Sequence, residues 1–152
     1  MTEIQRLVDQ LNRAYYREAW HGPTVTEVLE GITSAQAAAH PIGQAHSIWE
    51  IVLHITAWKL AVRRRLLGEI VELSAEQDWP PVTITSASAW TAALENLKKA
   101  HDELVSTVQS LTESQLLEIP AGRKTNKYFQ LTGVLQHDAY HAGQIVMLKK
   151  MV

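Results

Sequence analysis

Ser47-Ile48-Trp49-Glu50-Ile51-Val52-Leu53-His54-Ile55-Thr56-Ala57-Trp58 is the stretch that decides the fold. Ser47 and Glu50 are spaced as a capping box, in which each side chain bonds the backbone N–H of the other residue and opens a helix. The residues that follow are apolar on nearly every side, and a helix of that kind sits between neighbours in a core. It should run to about Leu67, with Gly68 as its natural stop. A membrane span needs roughly 18–20 uncharged apolar residues. The longest apolar run, Ile48 to Leu60, is shorter and contains Glu50, His54 and Lys59.

The chain on either side is also helical in period. Ile4, Leu7, Val8, Leu11, Ala14 and Tyr15 recur at steps of three and four, behind a capping box of Thr2 and Gln5. Gly22-Pro23 is expected to stop that helix. A short turn from Thr24, boxed by Glu27 and ended by Gly31, comes next, then a short helix over Thr33 to Ala39 and a loop at His40-Pro41-Ile42-Gly43. Glu69 to Ala87, with Pro80-Pro81, lacks periodicity and reads as a long crossover. Trp90, Leu94, Leu97, His101, Leu104, Val108 and Leu111 then form a heptad seam. Ile119 to Lys127 reads as loop and Phe129 to Met151 as the last helix. Gly133 and Gly143 within it each cost about 1 kcal/mol relative to Ala and point to close approach of a neighbouring helix. Without a convincing strand set, four main helices give an all-α four-helix bundle in a single domain over residues 1–152.

Composition narrows the function classes. Apolar residues make up 46% and charged residues 20%, which excludes a disordered or low-complexity chain. The net charge of −2 argues against a broad nucleic-acid face. Arg63-Arg64-Arg65 reads as a solvated helix end, the alternative being contact with a phosphate or an acidic ligand. The N-terminus lacks the basic start and apolar core of a signal peptide, so the cytoplasm is the expected location. No cysteine is present, which excludes a thiolate nucleophile of the protein's own and any Cys-ligated metal.

Seven histidines remain to be explained. His137 and His141 in His137-Asp138-Ala139-Tyr140-His141-Ala142-Gly143-Gln144 are four apart, so their imidazoles stand one turn apart on one face. Such a pair can chelate a divalent ion or be two partly exposed helical histidines. Gln144 shares the face and could orient a ligand histidine or bind a metal-bound water. His54 reads singly as a neutral core histidine. A bundle, however, brings inward positions of different helices together, and His54 with the pair would supply three neutral nitrogens and leave positions open. His101 reads as a structural seam histidine, His40 and His46 as solvated, and His21 as either a helix-end histidine or part of a pocket mouth. Asp138 occupies the place of the general base in His-Glu-x-x-His metalloproteases, yet it is one methylene shorter and points about 100° away around the helix. A solvated or ion-paired role is the simpler expectation. Trp49 and Trp58 are near enough to His54 for one of them to line the same cavity.

Ser47 to Trp58 resembles the second helix of the DinB family, also called DinB/YfiT-like metalloenzymes, and His137 to Ile145 resembles that family's final helix. Trp20-His21-Gly22-Pro23, followed by Leu29 and Gly31-Ile32-Thr33, is similar to the N-terminal part of one subgroup. The resemblance implies up-down-down-up connectivity, which the long crossover accommodates, and a metal site on His54, His137 and His141. It leaves the ion open among zinc, nickel and iron, one per chain. Some relatives transfer low-molecular-weight thiols such as bacillithiol or mycothiol. The expectation is therefore a metal-dependent enzyme acting on a small-molecule thiol and an electrophilic substrate, with metal-dependent hydrolysis and a non-catalytic, stress-associated metal-binding module as alternatives. A homodimer is expected from the tryptophan-rich apolar bundle and the habit of similar proteins; a nucleic-acid or membrane partner is not.

Overall fold

Among the described residues, capping boxes open six of the eight helices, with Thr2, Thr24, Thr33, Ser47, Ser74 and Thr112 as caps. The computed structural model describes residues 1–16 and 18–152. In chain order the helices are α1 (Glu3–Tyr15), α2 (Val25–Leu29), α3 (Ser34–Ala38), α4 (Ile48–Leu66), α5 (Ala75–Asp78), α6 (Ala87–Gln109), α7 (Glu113–Leu116) and α8 (Lys127–Lys149). The four long ones, α1, α4, α6 and α8, form an all-helical bundle. Gly31 and Gly68 follow α2 and α4 at φ of 74° and 94°, a left-handed conformation that stops a helix without a Cβ clash.

Two boundaries differ from expectation. The first helix ends at Tyr15, well before Gly22-Pro23, because the Thr26 hydroxyl donates to the Tyr15 carbonyl at 2.9 Å and the chain turns off there. The Glu69–Ala87 crossover carries α5, a single turn capped by Ser74 and Gln77. The helices pack as a ring, α1 on α6, α6 on α4, α4 on α8 and α8 on α1. Trp49 meets Trp90, Lys59 meets His101 and Arg63 meets Thr107, so residue numbers rise together and α4 runs parallel to α6. His54 meets His141 and Lys59 meets Asp138, which makes α8 antiparallel to α4. Glu3 meets Glu113 just past α6, Asn12 meets His101 and Tyr16 meets Lys98, so numbers run in opposite directions and α1 is antiparallel to α6.

The core divides along the bundle axis. One apolar cluster gathers Val25, Ile48, Val52, Ile55, Trp90, Leu97 and Ile145; a second gathers Leu11, Val62, Leu104, Val108, Leu131 and Val134. The levels between them, residues 12, 59, 101 and 138, carry polar side chains that bond one another. Lys59 Nζ donates to Asp138 Oδ2 at 2.5 Å and lies 3.4 Å from His101 Nδ1, while His101 Nε2 donates to Asn12 Oδ1 at 3.1 Å. Lys59, His101 and Asp138 are fully buried, and His101 stacks on Tyr15 with ring centres 4.1 Å apart. A buried ammonium and carboxylate persist only when paired in this way. Among the described residues no helix is long and apolar enough to cross a membrane.

Candidate metal centre

At the edge of this polar layer, α4 and α8 bring His54, His137 and His141 together. His54 Nε2 lies 2.9 Å from His137 Nε2, and His141 Nε2 lies 3.0 Å from His137 Nε2. Among the described residues, these three are the group of His, Asp and Glu side chains whose ligand atoms all fall within 4.8 Å of one another. The local cause is simple. His137 and His141 share a face of α8 one turn apart, and antiparallel packing sets the buried middle of α4 opposite them. An ion held at 2.0–2.1 Å by imidazoles at bond angles near 90–110° needs nitrogens roughly 2.9–3.4 Å apart. The two separations from His137 fall within that range and the third pair lies within 4.8 Å, so the donor set is compatible with a divalent ion.

Two of the rings are fixed from behind through their other nitrogen. His54 Nδ1 donates to the Asp78 carbonyl at 2.7 Å, and His141 Nδ1 donates to Gln144 Oε1 at 2.6 Å. Each bond sets the tautomer so that Nε2 offers its lone pair to the site. Gln144 thus touches a histidine. Burial is the main cause that keeps the three imidazoles neutral. It pushes His137 down to about 3, aided by any positive charge on His141, His54 and Lys59. It pushes His141 down to about 4 against the Gln144 bond, and it lowers His54 against the opposing Asp78 contacts.

The crossover supplies a wall that sequence reasoning did not find. The Trp79 ring stacks on His54 at 3.8 Å and on His46 at 3.5 Å, nearly parallel to both. His46 is exposed, as expected, and its ring also forms one side of an aromatic sandwich. Trp58, at 6.2 Å from His137, donates through Nε1 to Asp78 Oδ1 at 2.7 Å. The other candidate, Trp49, lies in the core against Trp90. Trp79 and Asp78 sit just past the Ser74 capping box in an aperiodic segment. That box was the one local signal available, and nothing local tied it to His54.

Other expectations sort cleanly. His101 stays in the polar core layer, apart from the three-histidine group. His40 bonds Glu50 at the surface and His21 is exposed. Asp138 points into the bundle onto Lys59 and away from the ligand face, so the general-base position of the metalloproteases is filled here by a buried ion-pair member. Burial raises its pKa while the Lys59 charge works the other way. Arg65 corrects the reading of a solvated arginine cluster: it is only 3% exposed. The two glycines of α8 correct another, since a Cβ placed at Gly133 or Gly143 meets no atom within 4 Å. No neighbouring helix approaches them. They border cavities instead, Gly143 a cleft of about 720 Å³ on the His141 side and Gly133 a cavity of about 270 Å³ on the His137 side.

No curated protein and no solved structure matches the chain. A protein-family model described as the DinB superfamily matches residues 16–145, which takes in all three histidines, the whole of α4, the crossover after it and α8 as far as Ile145. An all-helical bundle with this histidine group and this family match makes the chain a member of the DinB superfamily.

Proposed function

We propose that the chain binds one divalent ion through His54, His137 and His141 and is a metal-dependent thiol S-transferase of the cytoplasm. The observation that carries the reading is the convergence of three neutral imidazole nitrogens without a carboxylate among them. When bound, an ion in such a set keeps its full double charge and supplies Lewis-acid stabilisation of a thiolate, whose ordinary pKa is near 8.5. The cosubstrate thiol would lose its proton to solvent water, its sulfur would bond to an electrophilic carbon, and the leaving group would depart with the electron pair of the broken bond. The chain's own residues do the rest. Asp78 and Gln144 hold His54 and His141 in the required tautomers. Trp79, Tyr140 and Met147 line the larger cleft beside His141 and offer an apolar seat for the electrophile. Asp78, the acidic group nearest the histidines, is engaged by Trp58 and His54. Hydrolysis, the second enzymatic reading, therefore lacks a free carboxylate base at this position.

The proposal includes one folded domain over the full 152 residues, with zinc or nickel first among the ions and iron next. It also includes a homodimer: Tyr140 and Met147 are exposed on α8 seven residues apart, Met151 is exposed just past its end, and the three are apolar surface that a second copy would cover. Light scattering at micromolar concentration checks that part, and a monomer refutes it. For the reaction, untagged protein is analysed for metal and then assayed for loss of bacillithiol, mycothiol or glutathione with a model electrophile. The expected result is one ion per chain and thiol loss that disappears in the metal-free protein and in His141→Ala. Turnover of an ester or amide without thiol loss would favour hydrolysis. A metal-loaded protein inert in both assays would favour a non-catalytic, stress-associated metal-binding module.

A further inference from the structure

The smaller cavity beside His137 has an electrostatic character that the three-histidine group does not explain. It is lined by Trp58, Arg65, Arg123, Phe129, Gln130 and His137, among others. Two guanidinium groups on its wall would each be costly to bury without an anion nearby. Arg65, in the last turn of α4, donates through Nε to the Val71 carbonyl at 3.1 Å and stands 5.4 Å from the Trp58 ring. No carboxylate of the described residues lies within ion-pair distance of it. Arg123 reaches Glu72 only at 3.7 Å, and Glu72 is itself mostly in solvent. The Nε of Arg123 is buried and has no partner.

Gln130 adds an independent observation. Its side chain is more than nine-tenths buried, and its Oε1 accepts no hydrogen bond. Its Nε2 donates to the Thr125 carbonyl at a long 3.5 Å. Turning the amide over would set oxygen against that carbonyl oxygen, so the acceptor stays directed away from Thr125. A buried acceptor without a donor costs about 1–3 kcal/mol, and such groups are rare in folded proteins. Gly133 keeps the wall open, because a methyl group there would project into space. Two cations, one orphan acceptor, aromatic faces and a volume of about 270 Å³ together define a small ligand.

We propose that this cavity is a carboxylate-binding subsite that takes a small organic acid also bearing a hydrogen-bond donor. The carboxylate sits on Arg65 and Arg123, whose planar forks match it. The donor, an amide N–H or a hydroxyl, satisfies Gln130 Oε1. His137 lies on the same wall, and Trp58 touches both Arg65 and His137, so the far end of the acid faces the histidine group. The inference deepens the transfer reading and rests on it only for which reactant carries the carboxylate. That reactant is either the thiol or its electrophilic partner.

The test is calorimetric titration of the zinc-loaded protein with N-acetylserine and with its primary amide. The acid should bind at least tenfold more tightly than the amide. Arg123→Gln, at the arginine whose side chain is 31% exposed, should abolish the preference, and Arg123→Lys should restore part of it. Gln130→Met, close in shape, should weaken the acid severalfold while leaving metal content unchanged. Equal binding of acid and amide overturns the proposal, as does an undiminished preference in Arg123→Gln. To distinguish the two sources, N-acetylcysteine is added with N-acetylserine: competition assigns the subsite to the thiol, and simultaneous binding assigns it to the electrophile. A protein that keeps the acid preference but consumes no thiol retains the subsite and loses the transfer reading. Thiol turnover without an acid preference does the reverse.

Discussion

Lys59 and Asp138 show how far single residues determine this bundle. Both are fully buried, and each is the other's charge partner. Removing one leaves an uncompensated charge in the core, which costs roughly 3–5 kcal/mol, whereas replacing both by apolar groups is often tolerated. Asp138→Ala is therefore expected to lose about that much stability in urea unfolding, and Lys59→Met with Asp138→Leu to recover most of it. A loss below about 1 kcal/mol in Asp138→Ala would mean that the pair is not closed in solution. Acid stability follows from the histidines. Burial first, then the Lys59 charge, pushes His101 down to about 3. His54, His137 and His141 are lowered as well. A histidine with a depressed native pKa binds fewer protons than its unfolded counterpart below pH 6.5, so stability falls as pH drops through that window. The raised pKa of Asp138 acts in the opposite sense, as one group against four. Metal-free protein should lose stability from pH 6.5 toward pH 4, with a slope reaching about 1.4 kcal/mol per pH unit for each such group. A flat profile between pH 7 and 5 would contradict the neutral buried imidazoles.

At the scale of elements, the ligand helix α8 carries glycines where sequence reasoning expected a neighbour. The structure gives them cavities instead. Gly143→Ala is expected to stabilise the protein by about 0.5–1 kcal/mol, because the helix gains propensity and no clash arises. The same methyl group narrows the cleft beside His141, so binding of bulky apolar ligands should weaken. Thermal unfolding and ligand titration of the one variant check both. The main helices were legible because their signals are local: capping boxes at Thr2 and Ser47, and apolar residues at steps of three and four; the box at Thr24 marked the short α2 in the same way. α5 and α7 have the same boxes, at Ser74 and Thr112, but a single turn is too short to show a period. The histidine group could be anticipated from an i, i+4 pair and an inward His54. Trp79 and Asp78 could not, because their contacts with His54 cross 24 and more residues of chain and depend on how the crossover returns along α4. Arg65 escaped for a related reason. Its burial comes from the Val71 and Arg123 segments, neither of which is periodic.

For the whole molecule, the parallel run of α4 and α6 requires the long Glu69–Ser86 connection, and that connection closes one side of the histidine group. Ion binding, where it occurs, clamps α4 to α8 across 83 residues of chain. A ligand bound only by the native state at about one hundred times its Kd stabilises by about 2.7 kcal/mol. For a chain of this size that corresponds to a Tm rise of roughly 5–10 °C. Zinc or nickel should produce such a rise in the native protein and none in His141→Ala, as scanning calorimetry can show. An equal rise in both would place the ion elsewhere.

The sandwich of His46, Trp79 and His54 also gives the centre a built-in optical probe. The Trp79 indole lies in van der Waals contact with an imidazole of the histidine group, while Trp49 and Trp90 are sequestered in the core. An open-shell ion arriving at His54 would drain the emission of this indole ahead of the core pair. Subtracting the spectrum of Trp79→Phe would isolate that signal, so occupancy could be followed by light alone, in real time and without a dye.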